Sequence, residues 1–242
     1  MSIADNIAQV QSRIAEAAAR AGRDPAEVTL VAVTKTFSTE TVELAAAAGL
    51  RVFGENRMQE AAGKIPLLPD SFKWHMIGHV QTNKAKHVVG LFDCVQSVDS
   101  VRLAEALDRH AADQGRQLSV LLQVHLTGKA SQSGFQPTEL PAIARSVGAL
   151  THIRIDGLMA IASFTDDEKT LRAEFRTVRE LRDRLQSVLP DHPCRELSMG
   201  MTNDYPIAIE EGATIIRVGR ALFGERPLPE HRRETVGALQ ST

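Results

Sequence analysis

Aromatic side chains are scarce in this chain: one tryptophan, one tyrosine and eight phenylalanines make up 4% of 242 residues. So few rings leave no stacking platform for single-stranded nucleic acid. An excess of charge of one sign is also missing. Lysine plus arginine number 28 against 30 aspartate plus glutamate, a formal net charge of -2, which gives no electrostatic footprint for nucleic acid or an anionic membrane. The two cysteines, Cys94 and Cys194, make neither a metal-ligand spacing nor a disulfide framework, as suits a reducing compartment. No apolar run approaches the roughly 20 residues needed to span a bilayer. The first ten residues hold Asp5 and no basic stretch leading into an apolar one, so no export signal is read. No Walker loop and no dinucleotide glycine fingerprint is present. The expectation is a cytoplasmic protein with neither nucleic acid nor membrane among its partners, and a monomer, since no long exposed apolar stripe is evident.

What is present is a regular alternation. Residues 3–22 carry Ile3, Ile7, Val10 and Ile14 at helical spacing and stop at Gly22, which predicts one leading amphipathic helix. Short apolar runs follow: Val28–Thr34, Leu50–Phe53, Lys73–Ile77, Leu91–Gln96, Leu118–His125, Ile153–Met159, Arg195–Met199 and Thr214–Val218. Helical stretches lie between them, such as Thr39–Ala48, Val101–Gln114, Pro137–Val147 and Glu168–Val188. Oxygen-bearing and acidic residues (Ser38-Thr39-Glu40, Asp166-Asp167-Glu168) sit where caps and the helix dipole favour them. Strands that alternate with helices form a parallel sheet, because each parallel pair needs a crossover. Eight such units predict a closed (β/α)₈ barrel, class α/β, with an extra N-terminal helix. One barrel domain is expected over residues 1–226, with a loosely held polar tail over 227–242.

In such a barrel, chemistry sits at the C-terminal ends of the strands, and polar and glycine residues follow the runs here. Lys35 closes the first; it is the only lysine in the first sixty residues. A lysine ending a β-branched strand has its stem led inward, where desolvation disfavours the ammonium and frees the amine as a nucleophile; the alternative is a strand-end lysine that snorkels to water. Gly54-Glu55-Asn56 is read after the second run, His75 with Gly78-His79 around the third, and Ser97 after the fourth. Ser198-Met199-Gly200-Met201 and Arg217 with Gly219 are read at the seventh and eighth. The last two groups are where barrels commonly bind phosphate, with Arg220-Ala221-Leu222-Phe223 opening a short helix. His75 and His79 leave a strand, so no one-face metal pair follows, and His79 is expected to face solvent. Lys84, Lys86 and His87 read as a solvated basic patch at a helix start, and Cys94 as core.

Six blocks stand in one order. They are Ala32-Val33-Thr34-Lys35; Phe53-Gly54-Glu55-Asn56 with Gln59-Glu60; Trp74-His75-Met76-Ile77-Gly78 running into Gln81-Thr82-Asn83-Lys84; Gly157-Leu158-Met159-Ala160; Leu197 to Met201; and Arg217-Val218-Gly219 to Gly224. On these the chain resembles the YggS/PROSC family, the pyridoxal 5′-phosphate homeostasis proteins, over nearly its whole length. The resemblance implies a barrel of the alanine racemase N-terminal type, with pyridoxal 5′-phosphate held as a Schiff base on Lys35. It implies further that Ser198, Gly200 and Gly219 lie at the phosphate, that Asn56 and Met199 line the cofactor, and that Arg217 faces the pyridine nitrogen. A permanent cation there weakens the ring as an electron sink. Two positions depart from the usual pattern. Arg220 stands where many members carry threonine or serine, and its guanidinium could bind phosphate itself. Gln132 stands where many carry lysine, with Lys129 three residues earlier.

Racemisation needs two positioned acid–base groups, one on each face of the substrate. Lys35 could serve as one. Racemases of this fold take the second, a tyrosine, from an additional domain, and the single tyrosine here, Tyr205, is predicted in a helix after the seventh strand. The resemblance likewise implies a protein that binds the cofactor and serves vitamin B6 and amino-acid homeostasis without established turnover, with cofactor-dependent enzymes as transient recipients. The alternatives are a single-domain amino-acid racemase, and a barrel that binds another phosphorylated metabolite with Lys35 merely electrostatic.

Overall fold

The computed structural model describes residues 2–126 and 133–225; Lys129, Gln132 and the tail over 227–242 lie outside the described residues. Within them the strands are β1 (Thr29–Val33), β2 (Val52–Glu55), β3 (Lys73–Met76), β4 (Cys94–Val98), β5 (Leu118–Val124), β6 (Ile153–Ala160), β7 (Glu196–Ser198) and β8 (Ile215–Val218). They pair in parallel in sequence order, and β8 pairs with β1 through Leu30↔Ile216 and Ala32↔Val218, which closes the barrel. The helices are α1 (Ile3–Arg20), α2 (Thr39–Ala47), α3 (Met58–Lys64), α4 (Ala85–Leu91), α5 (Val101–Asp113), α6 (Leu140–Gly148), α7 (Glu168–Val188), α8 (Tyr205–Glu210) and α9 (Arg220–Phe223). The (β/α)₈ barrel and its leading helix are as the alternation of runs predicts.

Two apolar cores result. Val31, Cys94, Leu121, Met159 and Ile215 form one small cluster, drawn from β1, β4, β5, β6 and β8. Strands that are not neighbours in the sheet can share contacts only across the interior, so this cluster fills the barrel. The larger core lies between strands and helices. Helix α1 starts with a Ser2–Asp5 capping box and buries Ile7, Val10 and Ile14. Those three side chains contribute roughly 6 kcal/mol of apolar burial before the entropy of ordering the helix is subtracted. Asn6 Nδ2 donates to Leu222 O at 2.9 Å, and Arg23 Nη1 donates to Ile209 O and Ala213 O, each at 2.9 Å. The leading helix is thereby tied to the last two helical segments, next to the β8–β1 seam.

Two boundaries differ from the sequence reading, and each moves a polar residue from a loop into a strand. β2 runs through Gly54 and Glu55, because Val33 pairs with Gly54 and Glu55 with Met76. His75 lies inside β3, within the run Lys73–Ile77 read for that strand. β4 begins at Cys94 rather than Leu91, since Leu91 completes α4, and it takes in Ser97, whose hydroxyl donates to Gly78 O at 2.6 Å. A short apolar run fits a buried helix end as well as a strand, so periodicity could not divide residues 88–96 correctly. Ser38 is the N-cap of α2 but makes no capping hydrogen bond, whereas Asp167 accepts from the amides of Lys169 and Thr170 at the start of α7.

Candidate functional site

Lys35 stands in the turn after β1, one residue beyond the buried Thr34, and is half-buried. It lines a cavity of about 340 Å³ with Val33, Phe37, Gly219, Arg220, Gly224 and Glu225. A cavity of that size is in the range that holds small ligands. A second one, of about 380 Å³, lies at the other end of the barrel near Thr29 and Val52; it holds Arg51 but no lysine to act as a nucleophile. The amine and the β8–α9 turn therefore share a wall at the end where barrels perform chemistry. Gly219 is the N-cap of α9 and Arg220 its first residue, as the sequence predicts. Phe37 and Phe223 contact each other across this mouth, with ring centroids 5.0 Å apart.

Asn56, immediately after β2, is half-buried, and its Oδ1 is buried with no hydrogen-bond partner among the described residues. Its backbone is fixed by Gly78: a Cβ at that glycine would lie 2.1 Å from Asn56 O. Gly200 adopts φ +93°, and a Cβ there would lie 2.6 Å from the Ala208 Cβ, so the β7–α8 turn sits flat on α8. Met199 is fully buried.

Ser198 and Arg217 are placed differently from the reading that put them on the rim. Ser198 ends β7 with its hydroxyl inside the barrel, donating to Gln96 Oε1 at 2.7 Å and accepting from Arg217 Nη1 at 2.6 Å. Arg217 belongs to β8 itself, and its Nη2 donates to Ala160 O at 2.9 Å. Gln96 Nε2 in turn approaches His75 Nδ1 at 2.7 Å. An amide nitrogen only donates, so His75 accepts at Nδ1 and carries its proton on Nε2. Arg217, Ser198, Gln96 and His75 thus form one directed chain from β8 through β7 and β4 to β3, a polar layer across the barrel. Burial pushes the His75 imidazole down to about 4, so it is neutral at pH 7. Burial also lowers Arg217 to about 10, with Asp204 opposing, so it stays cationic. Sequence reasoning missed Gln96; the available signal was one amide in the otherwise apolar Cys94-Val95-Gln96.

Arg217→Met tests whether this cation supports the fold. Holding the guanidinium out of water disfavours the folded state by about 3 kcal/mol, judged from its lowered pKa. The two hydrogen bonds lost, and the Ala160 carbonyl left unpaired, cost roughly as much. The terms nearly cancel, so the apo variant should melt within about 3 °C of wild type. A drop of ten degrees in calorimetry would make Arg217 a structural keystone instead.

Several side chains take no part in the mouth. His79 is exposed and pairs with Asp99 at 2.8 Å. Cys94 is buried, its thiol pushed up to about 12 by desolvation. Tyr205 opens α8 as predicted; it is fully buried, with the Arg13 guanidinium 5.1 Å from its ring centroid. That places the phenol between α8 and α1 on the outer wall. Among the described residues, no helix is long and apolar enough to cross a membrane.

A closed eight-stranded parallel barrel with a lysine after β1 and an arginine-bearing turn after β8 on one mouth defines a class of barrel. Residues 5–227 match the family described as alanine racemase, N-terminal domain. The chain belongs to that family and, within it, to the pyridoxal phosphate homeostasis proteins. It is 46% identical to the "Pyridoxal phosphate homeostasis protein" of Pseudomonas aeruginosa, over 93% of this chain and 96% of that protein. Among solved structures, PipY of Synechococcus elongatus with PLP bound is 39% identical with a TM-score of 0.81, over 92% of this chain and all of that one. An alanine racemase from Clostridium difficile has a TM-score of 0.73 at 13% identity, and this chain covers 57% of it. That last likeness is one of fold alone.

Proposed function

We propose that the chain binds pyridoxal 5′-phosphate at the barrel mouth and serves the homeostasis of that cofactor and of amino acids, as a cytoplasmic monomer without turnover of its own. The observation that carries this reading is the single cavity shared by the Lys35 side chain and the Gly219–Arg220 turn. When bound, the cofactor supplies an aldehyde that condenses with a neutral amine, releasing one water. Lys35 is the amine at that place. Gly219 lets backbone approach an anion, and the Arg220 guanidinium offers paired donors to phosphate oxygens. Asn56 brings an unpartnered buried oxygen, a polar atom with room for a ligand donor. Met199, Ser198 and Gly200 support the floor from β7 and its turn, and the Arg217 cation lies beneath it.

The same geometry speaks against racemisation. The tyrosine is on the outer wall, and His75 is neutral, half-buried and held by Gln96, so among the described residues neither of these is positioned as a second acid–base group opposite Lys35. Titrating purified protein with pyridoxal phosphate should produce an absorption band near the visible edge. The loaded protein, incubated with L-alanine and L-serine, should then yield no D-isomer. D-amino acid formed by wild type and lost in Lys35→Ala would replace the carrier with a racemase.

A further inference from the structure

Lys64, the last residue of α3, is a lysine only 6% exposed, and no motif of the chain singles it out. Its Nζ reaches Glu55 Oε1 at 2.7 Å, Glu60 Oε1 at 2.9 Å and the carbonyl oxygen of Thr34 at 2.9 Å. Glu55 also accepts from the Thr34 hydroxyl at 2.7 Å, and Glu60 accepts from the Thr36 amide at 2.5 Å. Thr34 and Thr36 are the two neighbours of Lys35. Lys64 and Glu60 from α3 therefore grip the peptide units on either side of that residue, and Glu55 from β2 holds the Thr34 hydroxyl and the Lys64 ammonium. The turn needs the grip, because Thr36 sits at φ +70°, a left-handed conformation that a β-branched residue adopts rarely and at a cost.

The arrangement costs something in its own right. Glu55 is fully buried, its second oxygen has no hydrogen-bond partner among the described residues, and burial raises its carboxyl above the ordinary range despite Lys64 and Thr34. A buried ion pair is seldom the most stable filling for such a space; an apolar cluster usually does as well. What it supplies here is direction: two acceptors and an ammonium aimed at one backbone turn. Sites that react by geometry need such support for the reacting group.

We propose that Lys64, Glu55 and Glu60 are positioning residues that clamp the Thr34–Thr36 turn so that the Lys35 amine is presented to the mouth cavity. The proposal rests on the reading of Lys35 as the amine that takes the cofactor. Glu60→Ala is the primary variant, since Glu60 is partly exposed and its loss leaves the fold least disturbed; Glu60→Gln keeps an acceptor for the Thr36 amide. Lys64→Met is the harsher companion, because it strands a buried carboxylate.

The test compares two ligands of the same shape, pyridoxal phosphate and pyridoxine phosphate, of which only the first can condense with an amine. Glu60→Ala and Lys64→Met should slow borohydride-trappable attachment to Lys35 by about tenfold or more, leave pyridoxine phosphate affinity within about twofold, and lose hydrogen-exchange protection at the Thr36 amide. Glu60→Gln should retain most of the rate and the protection. An unchanged attachment rate in Glu60→Ala overturns the proposal, and so does an equal loss for both ligands, which would mean a collapsed pocket. If wild type attaches nothing at Lys35, the functional reading fails instead. Amide exchange at Thr36 still reads the clamp in that case: protection lost in Glu60→Ala and kept in Glu60→Gln supports it, and no difference ends it.

Discussion

Wild-type protein treated with pyridoxal phosphate and then borohydride will carry the added ligand on the peptide containing Lys35, and Lys35→Ala will carry at least about a hundredfold less. The expectation follows from comparing the lysines. Lys73 is exposed and paired with Asp93, Lys84 is half-buried at the start of α4, and Lys64 is held between two carboxylates. Lys35 alone among them lines the mouth cavity together with Arg220. Removing its amine leaves the anion-binding wall in place, so pyridoxine phosphate should still bind Lys35→Ala within about threefold of wild type. Peptide mass mapping decides the matter. Equal labelling of the variant, or label spread over Lys84 and Lys86, would make Lys35 a bystander.

How the sequence discloses this site depends on where each residue lies. Lys35, Gly219 and Arg220 follow strands whose apolar runs are long enough to read, so their common mouth follows from closing the barrel. The interior layer was not legible in the same way. Arg217 and Ser198 look like rim residues because they sit at the ends of short runs, yet pairing with β1 and β6 draws them inside. Once there, they need partners, and Gln96 is supplied by a strand more than a hundred residues away from Ser198 in the chain. Periodicity reports burial of apolar faces and is silent about which polar groups will meet across an interior. The clamp on the Lys35 turn was hidden for a related reason. Lys64 ends a helix with a charge, as solvated helices do, and only the folded distance to Glu55 and Thr34 gives it a different meaning.

His75 sets the expected response to acid. In the unfolded chain an imidazole titrates near 6.5, whereas in the barrel burial pushes it down to about 4, with Asp93 and Asp156 only partly opposing. Between those values the unfolded chain binds a proton that the folded chain refuses, so stability falls as pH falls. The contribution is complete above pH 6.5, and its loss reaches about 3 kcal/mol by pH 4. In a protein of this size that corresponds to a melting point lower by about 6–12 °C. Glu55 and Asp204 act with the opposite sign, since burial raises both carboxyls and makes the folded state the better proton acceptor in acid. The comparison that isolates the imidazole is therefore His75→Gln, which keeps an acceptor for the Gln96 amide and leaves both carboxyls untouched. Thermal melts of the two proteins from pH 7 to pH 4 should diverge, with the variant losing about 3 kcal/mol less over the range. Parallel curves would mean that the folded barrel admits a charged imidazole, whose Nδ1–H can only donate, so the Gln96 amide would have to turn its oxygen toward His75 in acid.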